Sequence, residues 1–266
     1  MSWYCQSQFE VRLEWGLHAA ENLAQYVDCV VIVDVMSFST CVSIASDNNA
    51  YVYPYSWKDE TAIQYARNLG ALSASFNRKC ADSQFSLSPA SLQAIPEGTK
   101  LVLPSPNGSS ISFKAKDYGV TVFSGCFRNI TACARACEDF KRILVIPSGE
   151  RWPDGSIRFS IEDYVAAGGI IASLGDRKLS PEAYAAVAVY KQQQQHGLAS
   201  LYNCSSALEL KERGFETDVN LCLEIDVSVK TLFLNLCNCL FLICLIYQLK
   251  QVKRWTRNSY KPWLLS

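Results

Sequence analysis

The stretch CVVIVDVMSFST, residues 29–40, decides the fold: five apolar residues lead without a break into Asp34 and then into a hydroxyl-rich segment. A continuous apolar run of this length is typical of a strand covered on both faces, as in a parallel sheet. Similar runs end in the polar turns PSPNGS, SGCFRN and PSGERW, at residues 104–109, 124–129 and 147–152. Because ligands bind at the carboxyl ends of such strands, we predict that these turns line a common crevice.

The chain alternates between strand and helix patterns, which predicts an α/β fold with a largely parallel sheet. Apolar runs predict strands at 30–33, 50–53 and 100–103, the second of them closed by Pro54. Helical spacing predicts helices at 39–46, 58–69, 160–174, 181–195 and 203–213, and after Asn107 and Asn129. The helix at 58–69 should bury Ile63, Ala66 and Leu69. The Ser-rich residues 73–92 are predicted to form a long loop.

The composition bounds the class of protein. The chain has 266 residues, 49% of them hydrophobic, which is ample for one large α/β domain or two small ones. Six of the 25 basic residues and none of the 25 acidic residues follow Asp226, so residues 1–226 carry 19 basic residues and a net charge of −6. A body of that charge excludes nucleic acid as a partner. Twelve cysteines without a CxxC pair, and no signal-peptide pattern, predict buried, reduced thiols and a cytoplasmic protein.

The last part of the chain differs in composition, which predicts a body at 1–229 and an apolar and basic tail at 230–266. Residues 231–247 have three polar interruptions among seventeen residues, and a cluster of basic residues follows them: Lys250, Lys253, Arg254 and Arg257. A helix of that length spans about 26 Å, the lower limit for crossing a bilayer. One hypothesis is a membrane anchor with the basic cluster on the cytoplasmic side. The alternatives are a buried final element and a divergent terminus.

Asp34 stands at the end of its strand, which is a common place for a metal-binding or nucleophilic carboxylate; the alternative is a strand-end cap. A haloacid-dehalogenase-type phosphatase would have a second Asp two positions later, where this chain has Met36. No Cys has an Arg six positions further on, as a cysteine phosphatase loop requires, and His18 and His196 lie away from every motif. The carboxylates therefore favour a hard, oxygen-binding cation over a histidine-built zinc site.

The polar turns also carry candidates for binding an anion. After the Pro-Asn-Gly turn, backbone N–H groups and Ser109 at a helix start could hold an anion, although Asn-Gly alone favours a turn. Arg128 and Arg151 follow strands, where a planar guanidinium could bind phosphate or sulfonate oxygens; the alternative is a surface ion pair. Glu162 and Asp163 fall in the first turn of a helix, where acidic residues commonly complement the helix dipole.

Several of these segments occur in a recognisable order along roughly residues 9–228. They are VDVMSFST at 33–40, PSPNGS at 104–109, GCFRN at 125–129, PSGERW at 147–152, DGSIRF at 154–159, IED at 161–163, and LKERGFE at 210–216 followed by Asp218 and Val219. Together they resemble the 2-phosphosulfolactate phosphatase family, the magnesium-dependent phosphatases first associated with coenzyme M biosynthesis.

The resemblance implies a layered α/β/α fold, Mg²⁺ as the cofactor, and hydrolysis of a small anionic phosphomonoester, 2-phospho-3-sulfolactate, to 3-sulfolactate and phosphate. Carried onto this sequence, it predicts catalytic roles for Asp34, Glu150, Arg128 and Arg151. The predicted metal ligands are Asp34, Glu150, Glu162 and Asp163. The predicted substrate-binding residues are Ser105, Asn107, Gly108, Ser109 and Asn129.

Two features depart from the family's pattern. Ser37-Phe38 follows Met36 where many members have Arg-Ala, and the apolar tail begins after Ser228 where a member would end with a short strand. Two alternative functions are therefore kept: a phosphatase of another small phosphorylated hydroxy acid, and a non-catalytic, membrane-anchored binding protein that retains the fold. Assembly into a homo-oligomer stays open.

Overall fold

The computed structural model describes residues 2–57, 59–75, 77–79, 84–235 and 240–243. Its strands are β1 (Val11–Leu13), β2 (Cys29–Val33), β3 (Tyr51–Tyr55), β4 (Leu72–Ser73), β5 (Lys100–Pro104), β6 (Thr121–Gly125), β7 (Ile143–Pro147), β8 (Glu150–Arg151), β9 (Ile157–Arg158), β10 (Leu232–Asn235) and β11 (Leu240–Ile243). Its α-helices are α1 (Gly16–Leu23), α2 (Phe38–Asp47), α3 (Glu60–Leu69), α4 (Pro89–Leu92), α5 (Gly108–Lys116), α6 (Ile130–Cys137), α7 (Ile161–Ala172), α8 (Pro181–Gln194), α9 (Ser205–Glu212) and α10 (Glu216–Cys222).

The main sheet consists of two parallel groups of strands joined by an antiparallel pair. Over the described residues it has nine strands in the order β1-β7-β2-β6-β10-β11-β3-β5-β4. Strands β1, β7, β2 and β6 are parallel to one another, and so are β3, β5 and β4. Strands β10 and β11 pair antiparallel with each other and with the flanking β6 and β3. Three successive antiparallel pairings reverse direction, so the two parallel groups run in opposite senses.

Helices cover both faces of the sheet, which confirms the predicted layered α/β/α fold. Along β2, Cys29, Val31 and Val33 face one hydrophobic core, whereas Val30 and Ile32 face the other. The first core is closed by α6, α7, α8, α9 and α10, and the second by α1, α2, α4 and α5. The described cysteines are buried and none forms a disulfide with another described residue.

Small residues in α7 allow α8 to pack closely against it. A Cβ atom added at Gly168 would lie 2.1 Å from the carbonyl oxygen of Ala186 in α8. One added at Gly169 would lie 2.8 Å from the ring of Tyr190. Neither distance is compatible with van der Waals radii, so glycine is required at both positions for this contact.

The sheet curves around α2 and α5. Strands β2 and β5 are five positions apart in the strand order, which in a flat sheet would separate them by about 24 Å. Yet the backbone N–H of Gly108, four residues after β5, donates to the carboxylate of Asp34, directly after β2, at 3.0 Å. The ring of Phe38 in α2 also lies 6.1 Å, centroid to centroid, from that of Phe241 in β11. The sheet is therefore far from flat, and the segments after β2 and β5 lie next to each other.

The sequence predicted that Pro54 closes β3, but the strand continues through this residue to Tyr55. The backbone groups of Tyr51 and Tyr55 face β5, because Tyr51 N donates to Thr99 O and Tyr55 O accepts from Ser105 N. The backbone groups of successive strand residues point alternately to the two sides. Pro54 is next to Tyr55, so its ring nitrogen points away from β5. On that side β3 pairs with β11 through Val52, so no ladder hydrogen bond is lost at Pro54.

Helix α3 begins two residues later than predicted. Ala66 is buried and Leu69 packs against the same cluster, as predicted, but Ile63 is not buried. Asp59 caps the helix, with Oδ1 accepting a hydrogen bond from Thr61 N at 2.9 Å. The buried residues are Ala62 and Ala66, whereas Ile63 is 37% exposed. The two alanines let the helix lie close to β3 and β5, a contact that a larger side chain would prevent. Within the predicted loop at 73–92, the structure contains α4 and the end of β4.

The described part of the tail is strand, not helix. Residues 232–235 and 240–243 form β10 and β11 in the middle of the sheet, and Leu232, Leu234 and Phe241 are buried. Strand β10 supplies the terminal strand that the sequence left in doubt, and the sheet extends past residue 229. Among the described residues, no helix is long and apolar enough to cross a bilayer. The basic cluster at 250–257 lies outside the described residues.

Ending the chain at residue 229 should prevent stable folding, because the two parallel groups would lose the strands that join them. Burying a Leu or Phe side chain contributes about 1.5–3 kcal/mol, so losing three such residues consumes most of a typical free energy of unfolding, about 5–15 kcal/mol. A chain ending at residue 243 keeps every described strand and is the matched control. Far-UV circular dichroism with urea unfolding checks this: a cooperative transition of the 1–229 chain at the full-length midpoint would contradict it.

Candidate active site

A small polar pocket lies where β2, β5 and β7 end. Its cavity volume is about 160 Å³, which equals roughly five water molecules and suits a small ligand. The lining residues are Asp34, Met36, Ser37, Arg78, Leu87, Ser105, Pro106, Asn107, Glu150, Ser206, Glu209, Leu210 and Arg213. Four of the residues that the sequence proposed for the site, Asp34, Ser105, Asn107 and Glu150, therefore meet here.

The Asp34 carboxylate connects the first residues of two helices. Its Oδ1 accepts a hydrogen bond from the backbone N–H of Phe38, which starts α2, at 3.2 Å. Its Oδ2 accepts one from the N–H of Gly108, which starts α5, at 3.0 Å. The positive ends of both helix dipoles therefore stabilise its negative charge. The side chain is largely buried but still lines the pocket.

Gly108 is required by the closeness of this contact. A Cβ atom at residue 108 would lie 2.3 Å from the Phe38 ring and 2.8 Å from Asp34 Oδ2. The sequence predicted that Gly108 binds substrate, but its backbone N–H donates to Asp34 instead. Gly108 thus acts on the pocket by fixing the position of the Asp34 carboxylate.

Asn107 and Glu150 join the ends of β5 and β7. Asn107 Nδ2 donates to Glu150 Oε2 at 3.0 Å, which leaves Asn107 Oδ1 as an acceptor. Ser105 is held next to them by its backbone, since its N–H donates to Tyr55 O at 2.9 Å. The turns after three different strands are therefore linked into one surface of oxygen-bearing side chains.

Asp163 lies beneath this surface rather than in the pocket. Its Oδ1 accepts from Val35 N at 2.7 Å and its Oδ2 from Gly149 N at 2.9 Å, so it ties the turn after β2 to the turn after β7. Burial, followed by the negative charges of Glu162 and Asp34, raises the pKa of Asp163 well above its usual range, although the two N–H donors oppose that shift.

Glu162 is also buried, on the side of α7 that meets α9. It forms a hydrogen bond with the thiol of Cys204, and burial together with this carboxylate raises the pKa of Cys204 to about 12. Neither Glu162 nor Asp163 is a lining residue of the pocket. The predicted ligand set of Asp34, Glu150, Glu162 and Asp163 is therefore not assembled, because only Asp34 and Glu150 reach the pocket.

Arg128 and Asn129 follow β6 as predicted, but both serve the fold. The Arg128 guanidinium forms ion pairs with Glu224 and Asp47. Asp47 ends α2, about 14 Å along that helix from Phe38. Asn129 Oδ1 accepts from Cys126 N at 2.9 Å, and its Nδ2 donates to Ser124 O. Neither residue lines the pocket.

Arg151 and Ser109 also point elsewhere. Arg151 is exposed in the two-stranded β8–β9 sheet, and its Nη1 donates to Gly155 O at 3.2 Å. The Ser109 hydroxyl is fully buried and donates to Leu103 O at 3.4 Å. The sequence correctly predicted that these residues follow strands, but a residue's place after a strand does not determine the direction of its side chain.

The pocket's basic side chains are Arg78 and Arg213, which sequence reasoning did not assign to the site. Arg213 lies in the 210–216 segment that carried part of the family resemblance, so a signal for it was present. Arg78 lies in a stretch predicted as loop, and nothing in its neighbourhood marked it. Ser206 and Glu209, one helical turn apart in α9, complete this part of the lining.

The donor set of the pocket fits Mg²⁺. This ion prefers oxygen ligands and is commonly held by one or two carboxylates together with waters and substrate phosphate. The pocket offers the carboxylates of Asp34 and Glu150, the Asn107 amide oxygen and the Ser105 hydroxyl. Over the described residues, no group of three His, Cys, Asp or Glu side chains is arranged to hold a metal ion. The pocket thus suits a cation shared with a ligand rather than an all-protein cage.

Comparison with known families gives one match over most of the chain. The model of the 2-phosphosulpholactate phosphatase family matches residues 17–234. The matched range begins in α1 and ends in β10, so it contains every turn that lines the pocket.

Individual relatives agree with this match at low identity. A probable 2-phosphosulfolactate phosphatase of Pseudothermotoga lettingae is 24% identical over 212 residues, 79% of this chain and 91% of the relative. The 2-phosphosulfolactate phosphatase of Methanocaldococcus jannaschii is 26% identical over 199 residues, 71% of this chain and 81% of the relative. That of Methanothermobacter thermautotrophicus is 26% identical over 201 residues, 74% and 83% respectively.

Asp163→Asn should destabilise the protein by about 1–3 kcal/mol, because an amide can accept only one of the two buried N–H bonds. The raised pKa of Asp163 means that its protonated form favours the folded state. That contribution is present at low pH and lost as the pH rises, so the difference between wild type and variant should shrink from pH 4.5 to pH 7.5. Urea unfolding at several pH values measures it.

Asp176→Asn, at an exposed carboxylate beyond the other end of α7, is the matched control and should change stability by no more than about 0.5 kcal/mol. Equal stability of Asp163→Asn and wild type at every pH would show that the Asp163 hydrogen bonds do not hold the two turns.

Proposed function

The chain belongs to the 2-phosphosulpholactate phosphatase family, and from this premise we propose that it hydrolyses 2-phospho-3-sulfolactate to 3-sulfolactate and phosphate with Mg²⁺ as its cofactor. The family and its named members make the chain a hydrolase of phosphoric monoesters with a small phosphorylated substrate. The observation that supports the finer proposal is the position of Asp34. Its carboxylate is held by the N-termini of α2 and α5, and it lines a pocket that contains other oxygen-bearing side chains.

The starts of α2 and α5 provide a favourable place for an anionic group. Helix N-termini carry partial positive charge and unpaired N–H groups, which is why phosphates bind there. Phe38 N and Gly108 N are already used by Asp34, so the protein's own carboxylate occupies the strongest part of this field. A phosphoryl group beside Asp34 would therefore meet a carboxylate, and a cation between them would remove the repulsion.

Asp34 and Glu150 would hold Mg²⁺, with Asn107 Oδ1 as a further oxygen donor. The bound cation would offset charge on the phosphoryl oxygens and on the leaving oxygen. Asn107 keeps the Glu150 carboxylate oriented through its Nδ2, and Asp163 holds the turns after β2 and β7 at a fixed spacing. Hydrolysis then adds water across the P–O bond, and the hydroxyl of 3-sulfolactate leaves with a proton.

Phosphate release from 2-phospho-3-sulfolactate by the purified full-length chain should require a divalent cation. We expect activity with added Mg²⁺, its loss in excess EDTA, and its recovery when Mg²⁺ is restored in excess of the chelator. The reason is that the carboxylates beside the phosphoryl group would otherwise repel it. Full turnover in excess chelator would contradict the proposed cofactor, and no phosphate release under any condition would contradict the proposed substrate.

Asp34→Asn should lower kcat/KM by at least about 100-fold, because it removes a charge from the centre of the site while preserving its shape. Glu150→Gln should act in the same direction. Arg151→Lys and His18→Ala are matched controls, since both side chains are exposed and lie outside the pocket lining; we expect changes below about twofold. Steady-state kinetics at saturating Mg²⁺ measures kcat/KM for each variant, and circular dichroism checks that each variant is folded. Wild-type turnover in Asp34→Asn would remove Asp34 from the mechanism.

A further inference from the structure

The pocket contains one deeply buried guanidinium. The Arg78 side chain is 9% exposed, whereas that of Arg213, the other arginine of the lining, is 49% exposed. Arg213 pairs with Glu209 within α9 at 2.9 Å and is largely in water, where an ion pair contributes little. Positive charge that acts on a ligand at close range and low dielectric therefore comes from Arg78.

Arg78 is held in a defined orientation. Its Nη1 donates to Asp218 Oδ2 at 2.8 Å, and its Nη2 donates to Ser37 Oγ at 3.0 Å. Asp218, in α10, is itself fixed, because its Oδ1 accepts from Ser88 Oγ at 2.7 Å and from Ala90 N at 2.9 Å. Two of the five guanidinium N–H donors are used in these contacts, which leaves three for a ligand.

Stability alone does not account for this arrangement. The desolvation free energy of a buried ion pair is about as large as the Coulomb attraction that the pair gains. Replacing such a pair by apolar residues of similar volume commonly leaves the stability of the protein unchanged. Here the arginine of the pair lines a pocket, and three of its N–H donors are not used by Asp218 or Ser37. The pair is thus better explained as a way to hold a guanidinium ready for a ligand.

A second, independent group in the same pocket lacks a partner. Ser206, in the first turn of α9, is 4% exposed, and its Oγ makes no hydrogen bond within the described part of the chain. It lines the pocket together with Arg78. A buried hydroxyl without a partner costs free energy, so a ligand oxygen or nitrogen is expected beside it.

We propose that Arg78 and Ser206 bind the non-phosphate oxyanion of the substrate, its sulfonate or carboxylate, and that Asp218 is the positioning residue for Arg78. This inference rests on the proposed function, in which the phosphoryl group lies at Asp34 and Glu150. Those carboxylates come from the strand ends, whereas Arg78 and Ser206 come from residues 77–79 and α9, outside the sheet. The enzyme then selects phosphomonoesters that carry a second anionic group.

The test compares two substrates in the full-length enzyme: 2-phospho-3-sulfolactate, and 4-nitrophenyl phosphate, which has no anion besides its phosphate. Arg78→Lys keeps the charge but removes the fork. We expect it to raise KM for 2-phospho-3-sulfolactate by about tenfold or more, with kcat within a few-fold, and to change kcat/KM for 4-nitrophenyl phosphate by less than about twofold. Asp218→Asn and Ser206→Ala should raise the same KM by smaller factors. Arg142→Lys, at an ion pair with Asp28 away from the pocket, is the matched control.

Binding of 3-sulfolactate, measured by isothermal titration calorimetry, separates this inference from the proposed function because it requires no hydrolysis. Weakened binding in Arg78→Lys supports the oxyanion site even if the wild-type enzyme releases no phosphate. Arg78→Met combined with Asp218→Asn removes both charges together and guards against misfolding of a single variant. Unchanged 3-sulfolactate affinity in folded Arg78 variants, or equal losses on both substrates, would overturn the proposal.

Discussion

The two hydrogen bonds from Phe38 N and Gly108 N to the Asp34 carboxylate are the contact on which the pocket depends. They hold together the first turns of α2 and α5, helices that follow strands from opposite parallel groups of the sheet. In a flat sheet of this width those segments could not be in contact. Asp34 is therefore both the charge at the centre of the site and the point that fixes its shape, which explains why a glycine is needed at residue 108.

Three buried aspartates hold the segments around the pocket in place through their hydrogen bonds. Asp34 fixes two helices, Asp163 fixes two turns, and Asp218 fixes an arginine and the start of α4. In each case a carboxylate accepts at least two hydrogen bonds from groups far apart in sequence. Of these three aspartates only Asp34 reaches the pocket, where the other carboxylates of the lining are Glu150 and Glu209.

Sequence reasoning succeeded where the information was local. Uninterrupted apolar runs identified β2, β5 and β7, and Asp34, Asn107 and Glu150 reached the pocket because each lies within three residues of the end of its strand. It failed for Arg128 and Arg151, because strand position does not determine side-chain direction, and partners such as Glu224 are distant in sequence. Arg78 was missed for the same reason, since its place depends on Asp218, 140 residues away. The apolar residues at 231–247 were ambiguous, because a short apolar run does not distinguish a helix from buried strands.

The position of β10 and β11 has a consequence for how the chain is made. These strands sit between β6 and β3, in the middle of the sheet, although they come from residues 232–235 and 240–243. During synthesis, both neighbours leave the ribosome long before the strands that will cover them. Their edges, with open hydrogen-bonding groups and apolar faces, stay exposed until residues 232–243 have been synthesised. The sheet can therefore close only after residue 243 has left the ribosome, and until then the open edges of β6 and β3 are sites at which nascent chains can aggregate.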